Sequence, residues 1–106
     1  MADFVRVAQA SDLAPGGKKL LDIDGRAVAL FNVNGTFYAI DDVCTHDGGP
    51  LAEGELRGCE IECPRHGARF DVRSGAALCM PAIEPVATHQ VKVEDGAVFV
   101  RVTDSV

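Results

Sequence analysis

Three X-Gly dipeptides, Asp24-Gly25, Asn34-Gly35 and Asp95-Gly96, each stand between runs of apolar and β-branched residues. A pair of this kind between two such runs signals a hairpin. Asp24-Gly25 joins Lys18–Ile23 to Arg26–Val33, Asn34-Gly35 leads into residues 36–40, and Asp95-Gly96 joins 86–94 to 97–102. Residues 4–7, 59–63 and 69–73 alternate in the same way, with Gly75 as a further turn. Eleven glycines and no sustained 3.6-residue period leave no room for a long helix. Residues 53–56 are expected to form at most one short helical turn, and 12–17 a loop. The pattern predicts an antiparallel all-β sandwich or barrel.

A chain of 106 residues is one domain by size, so 1–106 is read as a single unit. Such a small core gains from a metal site that pins its loops. Sixteen acidic against ten basic residues give a net charge of −6. That balance argues against nucleic acid, whose phosphates need a clustered basic surface, and suits brief docking on a basic patch of a partner. The richest apolar stretches, 27–31 and 76–83, fall far short of the roughly 20 residues of a membrane helix. The start, Met1-Ala2-Asp3-Phe4-Val5-Arg6, lacks the basic and apolar regions of a signal peptide. The expectation is a cytoplasmic protein whose four cysteines are metal ligands or free thiols rather than disulfides.

Two stretches, 43–50 and 63–67, fit no plain sandwich: they are rich in Cys, His, Gly and Pro and poor in residues that pack a core. They contain Cys44-Thr45-His46 and, after sixteen intervening residues, Cys63-Pro64-Arg65-His66. Each box offers one soft thiolate and one imidazole. Two of each complete either a tetrahedral zinc site or the terminal positions of a two-iron cluster.

These residues resemble the Rieske ferredoxin family, the small electron carriers of bacterial ring-hydroxylating dioxygenase systems. The resemblance rests on Cys44-Thr45-His46 with Gly48-Gly49-Pro50-Leu51, on Glu62-Cys63-Pro64-Arg65-His66-Gly67, and on Phe70-Asp71, Gly75 and Pro81. It implies a Rieske fold of three antiparallel sheets, with the cluster at the tip of two loops and a third loop containing Pro81 covering it. It implies one [2Fe–2S] cluster held by Cys44 and Cys63 on one iron and by His46 and His66 on the other. It also implies a monomeric carrier between a flavin-containing reductase and a terminal oxygenase, with no catalysis on the chain itself. Gly48, Gly49 and Gly67 would let backbone N–H groups approach the sulfides, Pro64 would stiffen the second loop, and Arg65 is either a partner contact or a solvated arginine. Reduction is expected to couple to proton uptake at high pH, with the potential falling as pH rises.

Three other readings of these residues stand beside this one. A structural zinc knuckle would use the same four side chains, but such knuckles bracket a ββα unit or a short helix, and these boxes are flanked by strands. An all-cysteine cluster of Cys44, Cys59, Cys63 and Cys79 would leave both histidine boxes unexplained; Cys59 and Cys79 are read instead as small buried hydrophobes. The small subunit of an assimilatory nitrite reductase shares the fold, although some members lack the ligands that this chain keeps. His89, in an alternating run, is read as a strand residue.

The chain departs from the respiratory type of the family. That type has a cysteine in each loop, which form a disulfide, where this chain has Gly49 and Arg65; its serine and tyrosine hydroxyls are replaced by Ala68 and Phe70. Hydrogen bonds to the sulfurs favour the reduced state, so their absence predicts a potential near the low end of the Rieske range, about −150 mV.

Overall fold

The computed structural model describes residues 4–43, 50–64, 67–79 and 84–102. In this region the chain forms strands β1 (Val5–Gln9), β2 (Lys18–Ile23), β3 (Arg26–Val33), β4 (Thr36–Asp41), β5 (Glu55–Arg57), β6 (Glu60–Glu62), β7 (Arg69–Asp71), β8 (Ala77–Cys79), β9 (Thr88–Glu94) and β10 (Ala97–Arg101). The X-Gly pairs are the turns expected of them: Asp24, Asn34 and Asp95 take φ of 53°, 52° and 50°, each followed by a glycine also at positive φ. Two successive left-handed residues make the turn whose twist matches paired strands.

All pairings are antiparallel. β1-β10-β9 and β4-β3-β2 form two three-stranded sheets, joined into a six-stranded order by only two residue pairs, Ala39↔His89 and Ile40↔Thr88. The third sheet runs β5-β6-β7-β8. The expected three-sheet architecture is therefore present, with a narrow seam between the first two sheets.

β3 explains how the layers stack. Its residues 28 to 31 are apolar and all buried, so it buries both faces rather than alternating. Val28 and Leu30 face a core completed by Leu21, Ile23, Val98 and Val100. Ala29 and Phe31 face a second core completed by Leu51, Ile61, Cys63, Ala68, Phe70 and Val72. One strand thus supplies a wall to both cores, which a continuous apolar run makes possible.

Several elements differ from the expectation. Residues 55–57 are a strand, not a helical turn: Leu56 pairs with Ile61 and packs against the second core. The sequence pattern did not point to β8. The 12–17 stretch begins at the end of a 3-10 turn, Ala10–Asp12, where Asp12 Oδ2 accepts the Gln9 N–H at 3.0 Å. β7 stops at Asp71 because the Asp71 carboxylate takes the Arg73 N–H at 2.8 Å and its carbonyl takes the Gly75 N–H at 2.7 Å, turning the chain. Cys59 is half-buried in the turn before β6, and Cys79 is exposed, so neither is a fully buried hydrophobe. Among the described residues no helix is long and apolar enough to cross a membrane.

Candidate metal centre

Of the four expected ligands, Cys63 lies within the described residues; Cys44, His46 and His66 lie outside them, as do Gly48, Gly49, Arg65 and Pro81. Cys63 follows β6 directly and is fully buried in the second core, as a free thiol. Its backbone closes the second box on itself. The Cys63 N–H donates to the Ala68 carbonyl at 2.6 Å, and its carbonyl accepts the Gly67 N–H at 3.1 Å. Gly67 makes that return at φ +76°, a conformation that disfavours a side chain. Ala68 and Phe70, where hydroxyls were expected to be missing, are both fully buried in the same core as Cys63.

The stem of the first box is closed by Asp42. Its Oδ1 accepts the N–H of Leu51 at 2.7 Å and that of Ala52 at 2.6 Å. The chain before this clamp is held from both sides, because the Asp41 N–H donates to the Ala87 carbonyl at 2.9 Å and the Asp42 N–H to the Ala27 carbonyl at 3.0 Å. The Asp41 side chain turns the other way, to Arg26 Nε at 2.9 Å and His89 Nε2 at 2.8 Å. His89 is thus a strand histidine, buried in β9, with a carboxylate partner.

Leu51 is fully buried beside Cys63, which brings the two stems against one core. Gly54 then packs backbone to backbone on the residue before Cys63: a Cβ there would stand 1.8 Å from the Glu62 carbonyl oxygen. The Gly54 carbonyl also accepts a hydrogen bond from Lys18 Nζ of β2. On the far side, Cys79 Sγ lies 3.6 Å from the Gly67 carbonyl. The return toward β9 is pinned by the Val86 N–H on the Gly75 carbonyl at 2.8 Å.

The outer face of the β5–β8 sheet is charged. Glu62 pairs with Arg69 at 3.3 Å and Asp71 with Arg73 at 2.9 Å. The Arg73 guanidinium holds the Asp71 carboxyl below its ordinary value, while the partial burial of Asp71 opposes that shift.

The described member of the donor set, Cys63, fits a sulfur-ligated cluster. Cys63 offers a free thiol in an apolar, closed surround, where a soft ligand meets no competing cation among the described core residues. The all-cysteine alternative does not fit: Cys59 sits at the β5–β6 turn and Cys63 at the opposite end of β6, so four residue steps, roughly 13 Å along an extended strand, separate them. The zinc-knuckle alternative finds no flanking helix among the described residues, where strands stand on either side of the second box. Among the described residues no three metal-binding side chains come together. Asp42, Gly54 and Lys18 were not found by sequence reasoning, which has no signal for which amide a carboxylate accepts.

Residues 3–90 match the Rieske [2Fe-2S] domain. The ferredoxin component of the naphthalene 1,2-dioxygenase system of Pseudomonas putida is 38% identical over 97 residues, covering 92% of this chain and 93% of that protein. Among solved structures, one of the reduced oxygenase and oxidized ferredoxin complex of carbazole 1,9a-dioxygenase contains a chain that matches with a TM-score of 0.89 at 37% identity, covering 92% of both chains. A protein described as a nitrite reductase NADPH small subunit is more distant, with a TM-score of 0.78 at 25% identity over 92% of this chain and 97% of its own. When bound, a Rieske cluster supplies reversible one-electron chemistry. The chain belongs to the Rieske [2Fe–2S] family, as a ferredoxin: an electron-transfer component, not itself a catalyst, that carries one Rieske-type [2Fe–2S] cluster.

Proposed function

We propose that this ferredoxin passes single electrons from a flavin-dependent reductase to a terminal oxygenase, on a cluster held by Cys44 and Cys63 at one iron and by His46 and His66 at the other. The observation that carries this reading is the Cys63 thiol, wholly buried and free at the end of β6, three residues before His66 in the second box. The first box leaves and rejoins the fold beside the same core, through Val43 and Leu51. The whole chain, 1–106, acts as one monomeric domain, and its net charge of −6 suits brief docking on basic partners in the cytoplasm. The two described cysteines outside the proposed ligand set, Cys59 and Cys79, are in no disulfide, in keeping with a reducing compartment.

The test is anaerobic purification, dithionite reduction, and EPR and visible spectra of the native protein beside His46→Ala and His66→Ala. A brown native protein whose reduced signal has a lower average g than an all-cysteine cluster, with the signal lost in both variants, is the expected result. A colourless native protein containing zinc overturns it. Stopped-flow mixing of the reduced protein with terminal oxygenases and of the oxidised protein with flavin reductases then checks the two partners; transfer to neither class refutes the assignment.

A further inference from the structure

The clamp at Asp42 does more than close one turn. Leu51 and Ala52 both donate to its Oδ1, and the Leu51 carbonyl in turn accepts the Gly54 N–H at 2.9 Å. Gly54 has no Cβ, so its backbone lies against the Glu62 carbonyl, one residue before Cys63. Lys18 ties the same Gly54 to β2. A single short turn, 51–54, therefore touches the stem of the first box, the stem of the second and the sheet beneath. Close packing without a side chain in between transmits displacement rather than absorbing it.

We propose that Asp42 is a positioning residue for the cluster: its carboxylate fixes where the segment with Cys44 and His46 leaves and rejoins the fold, and the 51–54 turn holds that stem at a set distance from Cys63. The inference rests on the ligand set proposed above. Metal ligands depend on the groups behind them for orientation, and losing such a group costs metal affinity even when every ligand remains. Asp42 differs from its neighbour in this respect: Asp41 turns to Arg26 and His89 at the seam, whereas Asp42 alone of the two reaches the chain that returns from the first box.

The test compares the native protein with Asp42→Ala, Asp42→Asn and Asp12→Ala, the last removing a carboxylate–backbone bond of the same kind at the 3-10 turn. Three quantities are read: amide hydrogen exchange at Leu51 and Ala52, the rate of iron release to a ferrous chelator, and the reduction potential by voltammetry. In Asp42→Ala the two amides exchange faster, iron release rises on the order of tenfold, and the potential moves. Asp42→Asn keeps a carbonyl acceptor and falls between that variant and the native protein. Asp12→Ala leaves iron release and potential unchanged. Native iron release and native potential in Asp42→Ala overturn the proposal. If the alanine variant does not fold, the asparagine variant decides: faster exchange at Leu51 and Ala52 without faster iron release or a moved potential overturns it equally. A native protein that takes up no iron overturns the ligand assignment instead, and the exchange measurement separates that case from a clamp that does not exist.

Discussion

His89 Nε2 stands 2.8 Å from Asp41 Oδ1, across the seam where two residue pairs are all that join the halves of the six-stranded sheet. The imidazole is buried and the carboxylate is shared with Arg26, so a polar contact reinforces the shortest line of backbone pairing in that sheet. Burial by itself pushes the Asp41 carboxyl up, but hydrogen bonds from Arg26 and His89, with the charge of Arg26, more than offset it and hold Asp41 below its ordinary 3.8.

A lowered folded-state value means that ionised Asp41 stabilises the fold above its unfolded value, about pH 4, and that this contribution is lost as pH falls through the lower folded value. Asp41→Asn is expected to cost about 2 kcal/mol at pH 7. Its stability should also fall less between pH 4 and pH 2 than that of the native protein. Urea unfolding at a series of pH values measures both; an acid limb as steep in the variant as in the native protein would refute the assignment.

Gly54 and Gly58 make a second comparison. A Cβ at Gly54 would collide with the Glu62 carbonyl at 1.8 Å, whereas one at Gly58 meets nothing within 4 Å and only has to tolerate φ +61°. Gly58→Ala should cost about 1 kcal/mol for the left-handed conformation, and Gly54→Ala about 3 kcal/mol because backbone must move. Denaturation midpoints of the two variants give the order, and an equal cost would show that the 51–54 turn yields easily.

Leu51 is fully buried between the stem of the first box and the core that holds Cys63. Leu51→Ala should destabilise the protein by about 3 kcal/mol through lost contact and the cavity left behind. Calorimetry or urea titration of the native and variant proteins measures it; a loss below about 1 kcal/mol would mean that the site collapses to fill the space.

Ala68 and Phe70 sit in the Cys63 core without a hydroxyl between them. Ala68→Ser with Phe70→Tyr adds two donors that favour the reduced cluster, and each bond worth about 1 kcal/mol corresponds to roughly 40 mV in a one-electron couple. The double variant should therefore show a higher potential by voltammetry. No rise at all would remove these two positions from the set that tunes the potential.

The parts of the fold that could be read from residues were those with a local cause. Asp24-Gly25, Asn34-Gly35 and Asp95-Gly96 announce their turns because few other residues take positive φ, and residues 27–31 of β3 stand out as an unbroken apolar run. β5 was missed because Glu55-Leu56-Arg57 has one apolar residue, and its strand conformation comes from pairing with β6. The exposure of Cys79 has a similar origin. It shares parity with Ala77, but β8 steps two residues, from Ala77 to Cys79, while β7 steps one, from Phe70 to Arg69, so Ala77 packs on the core and Cys79 does not. At the site, the two Cys/His boxes mark the family in the sequence because ligand chemistry restricts residue type, and the family match over residues 3–90 spans both. The Asp42 clamp could not, since a carboxylate two residues before Cys44 carries no mark of the amides it accepts.

β3 turns Ala29 and Phe31 one way and Val28 and Leu30 the other. The sheet that leads into Cys63 therefore owns only part of the core it stands on; the remainder belongs to a strand that the other sheet cannot spare. An engineer who cut out residues 50–79 to install an electron relay in another scaffold would carry off one side of a contact and leave its mate behind. The smallest portable unit must take β3 and β4 with it, and the host must then supply a new partner for the face that Val28 and Leu30 expose.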